Sequence, residues 1–213
     1  MELEKNLRTR RLYRRLLKLG DRVAGPAFPK MKRVKQKTDD YCGPAVLEAL
    51  FSFLGVRVSQ MRVVRSLRAQ KKIKKTGLSV KDLARAANAL GKGEYSFWKK
   101  ANSTVTDLDA IVNKYKFPVG VEWQGVFHEF EDEDNGHYGI ITRIDRKAGI
   151  LRLADSFHAF AGTDRKFDIK FFVKRWWDIN IIKGRTLTDR KMMFVITPEG
   201  DSWPKKLGMK RFN

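Results

Sequence analysis

The chain holds a single cysteine, Cys42 in the stretch QKTDDYCGPAVLEALFSFLG, and three histidines, His128, His137 and His158. A thiol is a weak nucleophile until it ionises; a helix N-terminus or a neighbouring imidazolium favours the thiolate. Cys42 stands two residues ahead of Pro44, which suits the start of a helix because its missing N–H would have no partner there. A structural cysteine would sit more naturally inside the following apolar stretch, with Ala45 and Ala49. A thiolate also needs a base. His137 opens the strand-like YGIITRI directly after Gly136, and a second strand-like run, GILRLAD, ends at Asp155. In a hairpin the start of one strand lies beside the end of the next, so His137 and Asp155 are expected to be neighbours, a base with its orienting carboxylate. The plainer alternative is a surface His–Asp pair. Gln36, six residues before Cys42, carries an amide that can donate to a developing oxyanion beside the backbone N–H of Cys42, although glutamine in a polar loop has no signature of its own.

The elements that must hold these groups change period along the chain. From Val46 to Leu54 only Glu48 and Ser52 interrupt the apolar pattern, which predicts a central helix closed by Gly55. A second helix is expected from Ser59 to about Gln70, followed by the basic run KKIKK. A third, LSVKDLARAANALG, has Ser79 as its cap, Asp82 three residues on, Leu78 to staple onto Leu83, and Gly91 at its end. Beyond it, FPVGVEW (117–123), YGIITRI (138–144), GILRLAD (149–155) and KMMFVITP (191–198) read as strands. The DRKA turn joins the middle two into a hairpin, and KFDIKFFVKRWWD adds a short helix or irregular segment. Helices first and antiparallel strands afterwards define an α+β chain with the two halves packed together.

Composition narrows the setting. At 42% hydrophobic over 213 residues, there is enough apolar material for a real core. No run approaches the roughly 18 apolar residues of a membrane span, and MELEKNLRTRRLYRRLLKLG lacks the apolar core of a secretory signal. One cysteine excludes an internal disulfide, so a reducing, cytoplasmic location is expected. No CxxC or HExxH spacing points to zinc, and neither metal nor cofactor is expected. The formal net charge of +21 favours polyanions, yet no nucleic-acid motif accompanies it. Residues 1–33 hold eleven Lys/Arg against three acidic residues, with leucines at near-helical spacing and a Gly/Pro break behind them. Such an amphipathic arm either docks on a polyanion, membrane surface or partner groove, or packs its leucines on the domain. The acidic EFEDED (129–134), just ahead of His137 and next to His128, either favours the imidazolium or is a solvated loop offsetting the basic charge.

Gln36, then Cys42-Gly43-Pro44-Ala45 leading into a buried helix, the capped LSVKDLARAANALG segment, Gly136-His137-Tyr138 and Leu153-Ala154-Asp155 together resemble the bacteriocin-processing, double-glycine leader peptidases. These are papain-like cysteine peptidases, often fused to ABC exporters. The resemblance spans roughly residues 34 to 198 and implies a papain-like α+β fold, in stand-alone form without transporter domains. By this resemblance Cys42 is the nucleophile, His137 the base, Asp155 its orienter and Gln36 the oxyanion residue. The family commonly has Asp-Pro at the third triad position, where this chain has Asp155-Ser156. The layout that follows is a basic arm and linker at 1–33, a peptidase-like domain at 34–200 and a basic tail at 201–213. The expected reaction is cleavage of a peptide or isopeptide bond in a peptide or protein substrate. A catalytically silent papain-like peptide-binding module and a basic nucleic-acid-associated protein are the alternatives.

Overall fold

The computed structural model describes residues 27–127, 136–182 and 185–212; the basic segment 1–26, His128 and the EFEDED run lie outside the described residues. The first element is a 3₁₀ turn at Asp39–Tyr41 that runs directly into helix α1, Cys42–Phe53. Cys42 is therefore itself the first helical residue, and Pro44 falls within the first turn, where its missing N–H is still harmless. The expected helix from Ser59 to about Gln70 is two helices, α2 (Gln60–Ser66) and α3 (Gln70–Thr76). Arg68, at φ 51°, breaks the run between them, and the KKIKK segment belongs to α3. Helix α4, Val80–Gly91, carries the full capping box: Ser79 accepts from the Asp82 N–H, and Asp82 accepts from the Ser79 N–H. Helix α5 (Val105–Asp109) continues into a π-helical turn at Ala110–Lys114.

Among the described residues, seven strands form one antiparallel sheet. In sheet order they are β5 (Asp164–Asp168), β4 (Ile150–Asp155), β3 (Gly136–Asp145), β2 (Val119–Gln124), β8 (Met193–Pro198), β1 (Tyr95–Lys100) and β9 (Lys210–Phe212). Two further strands, β6 (Trp177–Ile182) and β7 (Arg185–Arg190), pair as a separate ribbon. Helix α6 (Ile169–Arg175) bridges β5 to that ribbon, and α7 (Trp203–Lys206) leads into β9. Within residues 201–212, expected as a basic tail, Trp203–Lys206 thus form a helix and Lys210–Phe212 add a strand to the sheet, with Phe97 paired to Phe212. The end of the expected linker is likewise built into the domain, with Met31 buried and Arg33 bonded to Asp164 through both Nε and Nη2.

Both faces of the sheet are covered, which explains the nearly unbroken apolar strands. Along β8, Phe194 and Ile196 join Leu47, Phe51, Val64 and Leu83 in a core beneath α1, α2 and α4. Their neighbours Met193 and Val195 face the other way, towards Trp123, Leu153, Phe172 and Trp176. Helical first half and β-rich second half therefore meet as layers of one α+β domain. No helix among the described residues is long and apolar enough to cross a membrane.

Candidate active site

The thiol is placed by the way α1 starts. Tyr41 is the N-cap of the helix and makes no side-chain cap bond among the described residues. The positive end of the helix dipole lies at Cys42, which is partly exposed. Gly43 lets the helix end sit close to the sheet. A Cβ there would stand 3.0 Å from Leu83 Cδ2 and 3.4 Å from the Tyr138 ring.

His137 and Asp155 come from adjacent strands. Gly139 pairs directly with Asp155, so His137, two residues earlier, lies diagonally opposite on the same face. Its Nε2 is 2.8 Å from Asp155 Oδ1, and both side chains are buried. Cys42 lies near enough to the same imidazole to help raise it, and with Nε2 committed to Asp155 the remaining ring nitrogen is Nδ1. Burial alone would push the imidazole down, but the charge and hydrogen bond of Asp155, helped by Cys42, raise it to about 10. Asp155 is the reverse case. Burial would raise it, yet His137, Arg165 and the Phe157 N–H hold it down to about 2. Phe127 meets His137 edge-on at 4.9 Å, and Phe157 packs on Phe127 at 4.4 Å, so aromatic rings wall the pair.

Gln36 is buried on the strand-like approach to the Cys42 turn. Its Nε2 donates to the carbonyls of Thr38 and Asp39, both at 3.0 Å, and its Oε1 accepts from Ser156 Oγ at 2.9 Å. Among the described residues it shares no hydrogen bond with Cys42. The structure thus sets Cys42 near the bonded His137–Asp155 pair and leaves Gln36 bonded to the turn ahead of Cys42. His158 is half exposed at the rim, 3.9 Å from Asp39 and stacked on Phe157.

Several residues around this site have no sequence signature. Arg165 Nη1 lies 2.6 Å from Asp155 Oδ2. The buried Tyr138 hydroxyl donates to Glu122 Oε1 at 2.8 Å. Sulfur opens onto a cleft of about 160 Å³ between the Thr76–Leu78 turn and a wall of Gly136, Tyr138 and Asp178. A larger hollow of about 430 Å³, against Phe28, Phe53 and Lys116, contains none of Cys42, His137 and Asp155.

A helix-borne thiol set against a histidine and carboxylate from a β-sheet is the layout of a papain-like cysteine peptidase domain. Residues 28–181 match the model of the Peptidase_C39 like family, and the chain, a cysteine peptidase, belongs to that family. Its fold is similar to the peptidase domain of Streptococcus ComA, a bifunctional ABC transporter involved in a quorum-sensing pathway. That match has a TM-score of 0.55 at 17% identity and covers 78% of this chain and 97% of that one. A double glycine motif protease from an AMS/PCAT transporter, solved in complex with the leader peptide, is similar at TM-score 0.49 and 14% identity. It covers 83% of this chain and 96% of its own. No curated protein sequence matches the chain.

Proposed function

We propose that the chain hydrolyses a peptide or isopeptide bond through Cys42, His137 and Asp155, with Gln36 as oxyanion donor. The observation that carries this reading is the buried His137–Asp155 pair, bonded at 2.8 Å, with Cys42 beside the imidazole at the start of α1. His137 Nδ1 takes the thiol proton, and the thiolate attacks the scissile carbonyl to form a tetrahedral intermediate. The oxyanion is met by the Cys42 backbone N–H and by the Gln36 amide, which exchanges one of its present carbonyl acceptors for the substrate oxygen. Collapse breaks the C–N bond, and the imidazolium returns its proton to the leaving amine. His137 then deprotonates a water that attacks the thioester, releasing the acid and regenerating the thiol. Asp155 keeps the ring in the tautomer and orientation that both transfers need.

Two measurements test the reading. Iodoacetamide is expected to modify Cys42 rapidly at pH 6, with His137→Ala slowing the reaction strongly. A pool of quenched-fluorescent peptides is expected to be cleaved by the native chain and not by Cys42→Ala. Alkylation that appears only above about pH 8 and ignores the histidine, together with uncut peptides, would point instead to a silent binding module.

A further inference from the structure

No step above uses Arg165, yet it is among the most completely enclosed charges described. Its side chain is 3% exposed, on β5. Nη1 meets Asp155 Oδ2 at 2.6 Å, and Nη2 donates to the Val126 carbonyl at 2.7 Å, in the segment that follows β2. Among the described residues, Nε has no hydrogen-bond partner. The guanidinium lies over Phe160 at 3.6 Å and near Phe167 at 4.9 Å. Burying a guanidinium with its Nε–H unused is a poor way to gain stability, because well-packed apolar side chains commonly do as well or better. What the arrangement does provide is orientation.

Asp155 Oδ1 is shared between His137 Nε2 and the Phe157 N–H, which donates at 2.9 Å. Those two contacts alone would leave Oδ2 free to swing about the Cβ–Cγ bond. Arg165 closes that freedom from the opposite side. We propose that Arg165 is a positioning residue that acts through Asp155, fixing the carboxylate plane so that His137 presents its other nitrogen to Cys42. This rests on the Cys–His–Asp reading above. The other charged groups around the site are Asp178 beside Gly136, and Glu122, which engages Tyr138; neither bonds His137 or Asp155 among the described residues.

The test reads Cys42 directly and needs no substrate. Iodoacetamide rates would be followed against pH for the native chain, Arg165→Met, Arg165→Lys, Asp155→Asn and the Asp155→Asn/Arg165→Met double variant, with thermal melts run alongside. Arg165→Met is expected to move the acidic limb of the profile up by about one pH unit, a roughly tenfold slower reaction at pH 6. Arg165→Lys, which keeps the charge but not the fork, should recover part of that. In the Asp155→Asn background the arginine substitution should add less than about twofold, since residues acting through one another are not additive. A lower melting temperature with an unmoved limb would make Arg165 purely structural and overturn the proposal. So would a full further tenfold loss in the Asp155→Asn background. Should Arg165→Met not fold, Arg165→Lys carries the same comparison. A native chain that is itself slow at pH 6 and indifferent to His137→Ala would instead overturn the triad reading.

Discussion

Replacing Cys42 by serine makes the charge state of the buried His137–Asp155 pair readable as a stability curve. Burial lowers His137, but Asp155 and, to a smaller extent, Cys42 raise it to about 10, against 6.5 for the free side chain. A raised folded value means a contribution that is complete below about pH 6.5 and is lost as pH rises through about 10. Asp155 runs the other way. Held at about 2 against an ordinary 3.8, it contributes above 3.8 and loses that contribution as pH falls through about 2. The Cys42→Ser chain should therefore be most stable between about pH 4 and 6.5. Above that range it should lose ~1.4 kcal/mol per pH unit, up to about 3 kcal/mol by pH 9. Urea unfolding followed through the buried tryptophans Trp98, Trp123 and Trp176, at half-unit pH steps, would measure this. The comparison includes Cys42→Ser/His137→Asn, which lacks the titrating ring. A Cys42→Ser curve no steeper than that of the double variant would refute an imidazolium held by Asp155.

Gln36→Ala should lower turnover by about 100- to 1,000-fold, as expected for loss of an oxyanion donor, while leaving iodoacetamide modification of Cys42 within a few-fold. Equal losses in both assays would mean that the amide only braces the Thr38–Asp39 turn. Gly136→Ala would put a Cβ 2.4 Å from Asp178 Oδ1 at the cleft wall. It should cost about 1–3 kcal/mol in urea unfolding through overpacking and raise KM more than it lowers kcat. Asp82→Ala removes the reciprocal cap of α4 together with the Lys72 partner, and should lower stability by about 1 kcal/mol without altering Cys42 reactivity.

The parts of this protein that could be read from its sequence are those with local causes. Ser79 and Asp82 announce a helix start because their bonds close within one turn. His137 and Asp155 could be placed together because a short turn fixes a hairpin register, and the Gly139–Asp155 pairing delivers the diagonal contact. Helix α1 starts two residues before the position that Pro44 marks, because the 3₁₀ turn at Asp39–Tyr41 carries the chain into the helix without a side-chain cap. Strand β1 escaped notice: YSFWKK buries Phe97 on one face and Trp98 on the other, leaving no alternation to read. Strand β9 has only three residues and is fixed by a partner more than a hundred residues away. Arg165 had no signature at all, since an arginine in a strand gains its meaning only once β5 pairs with β4 and brings it under Asp155.

The same contrast explains how a helix and a sheet hold a reactive pair in register. Cys42, the proposed nucleophile, belongs to the helical layer and His137, the proposed base, to the sheet, so their alignment depends on what ties the two together near the site. The segment leading to Cys42 is stitched to the β4–β5 region at successive points. Arg33 forks onto Asp164, which also accepts from Thr142 of β3. Gln36 then exchanges two bonds with Ser156: its backbone N–H donates to the Ser156 carbonyl, and its Oε1 accepts from the serine hydroxyl. Ser156 directly follows Asp155, and Asp164 directly precedes Arg165. The approach to the thiol is therefore anchored to the neighbours of Asp155 and Arg165, the two residues proposed to orient the imidazole. Ser156, standing where the family commonly has proline, does by hydrogen bonding what a proline cannot, and couples the Cys42 turn to the carboxylate through one side chain.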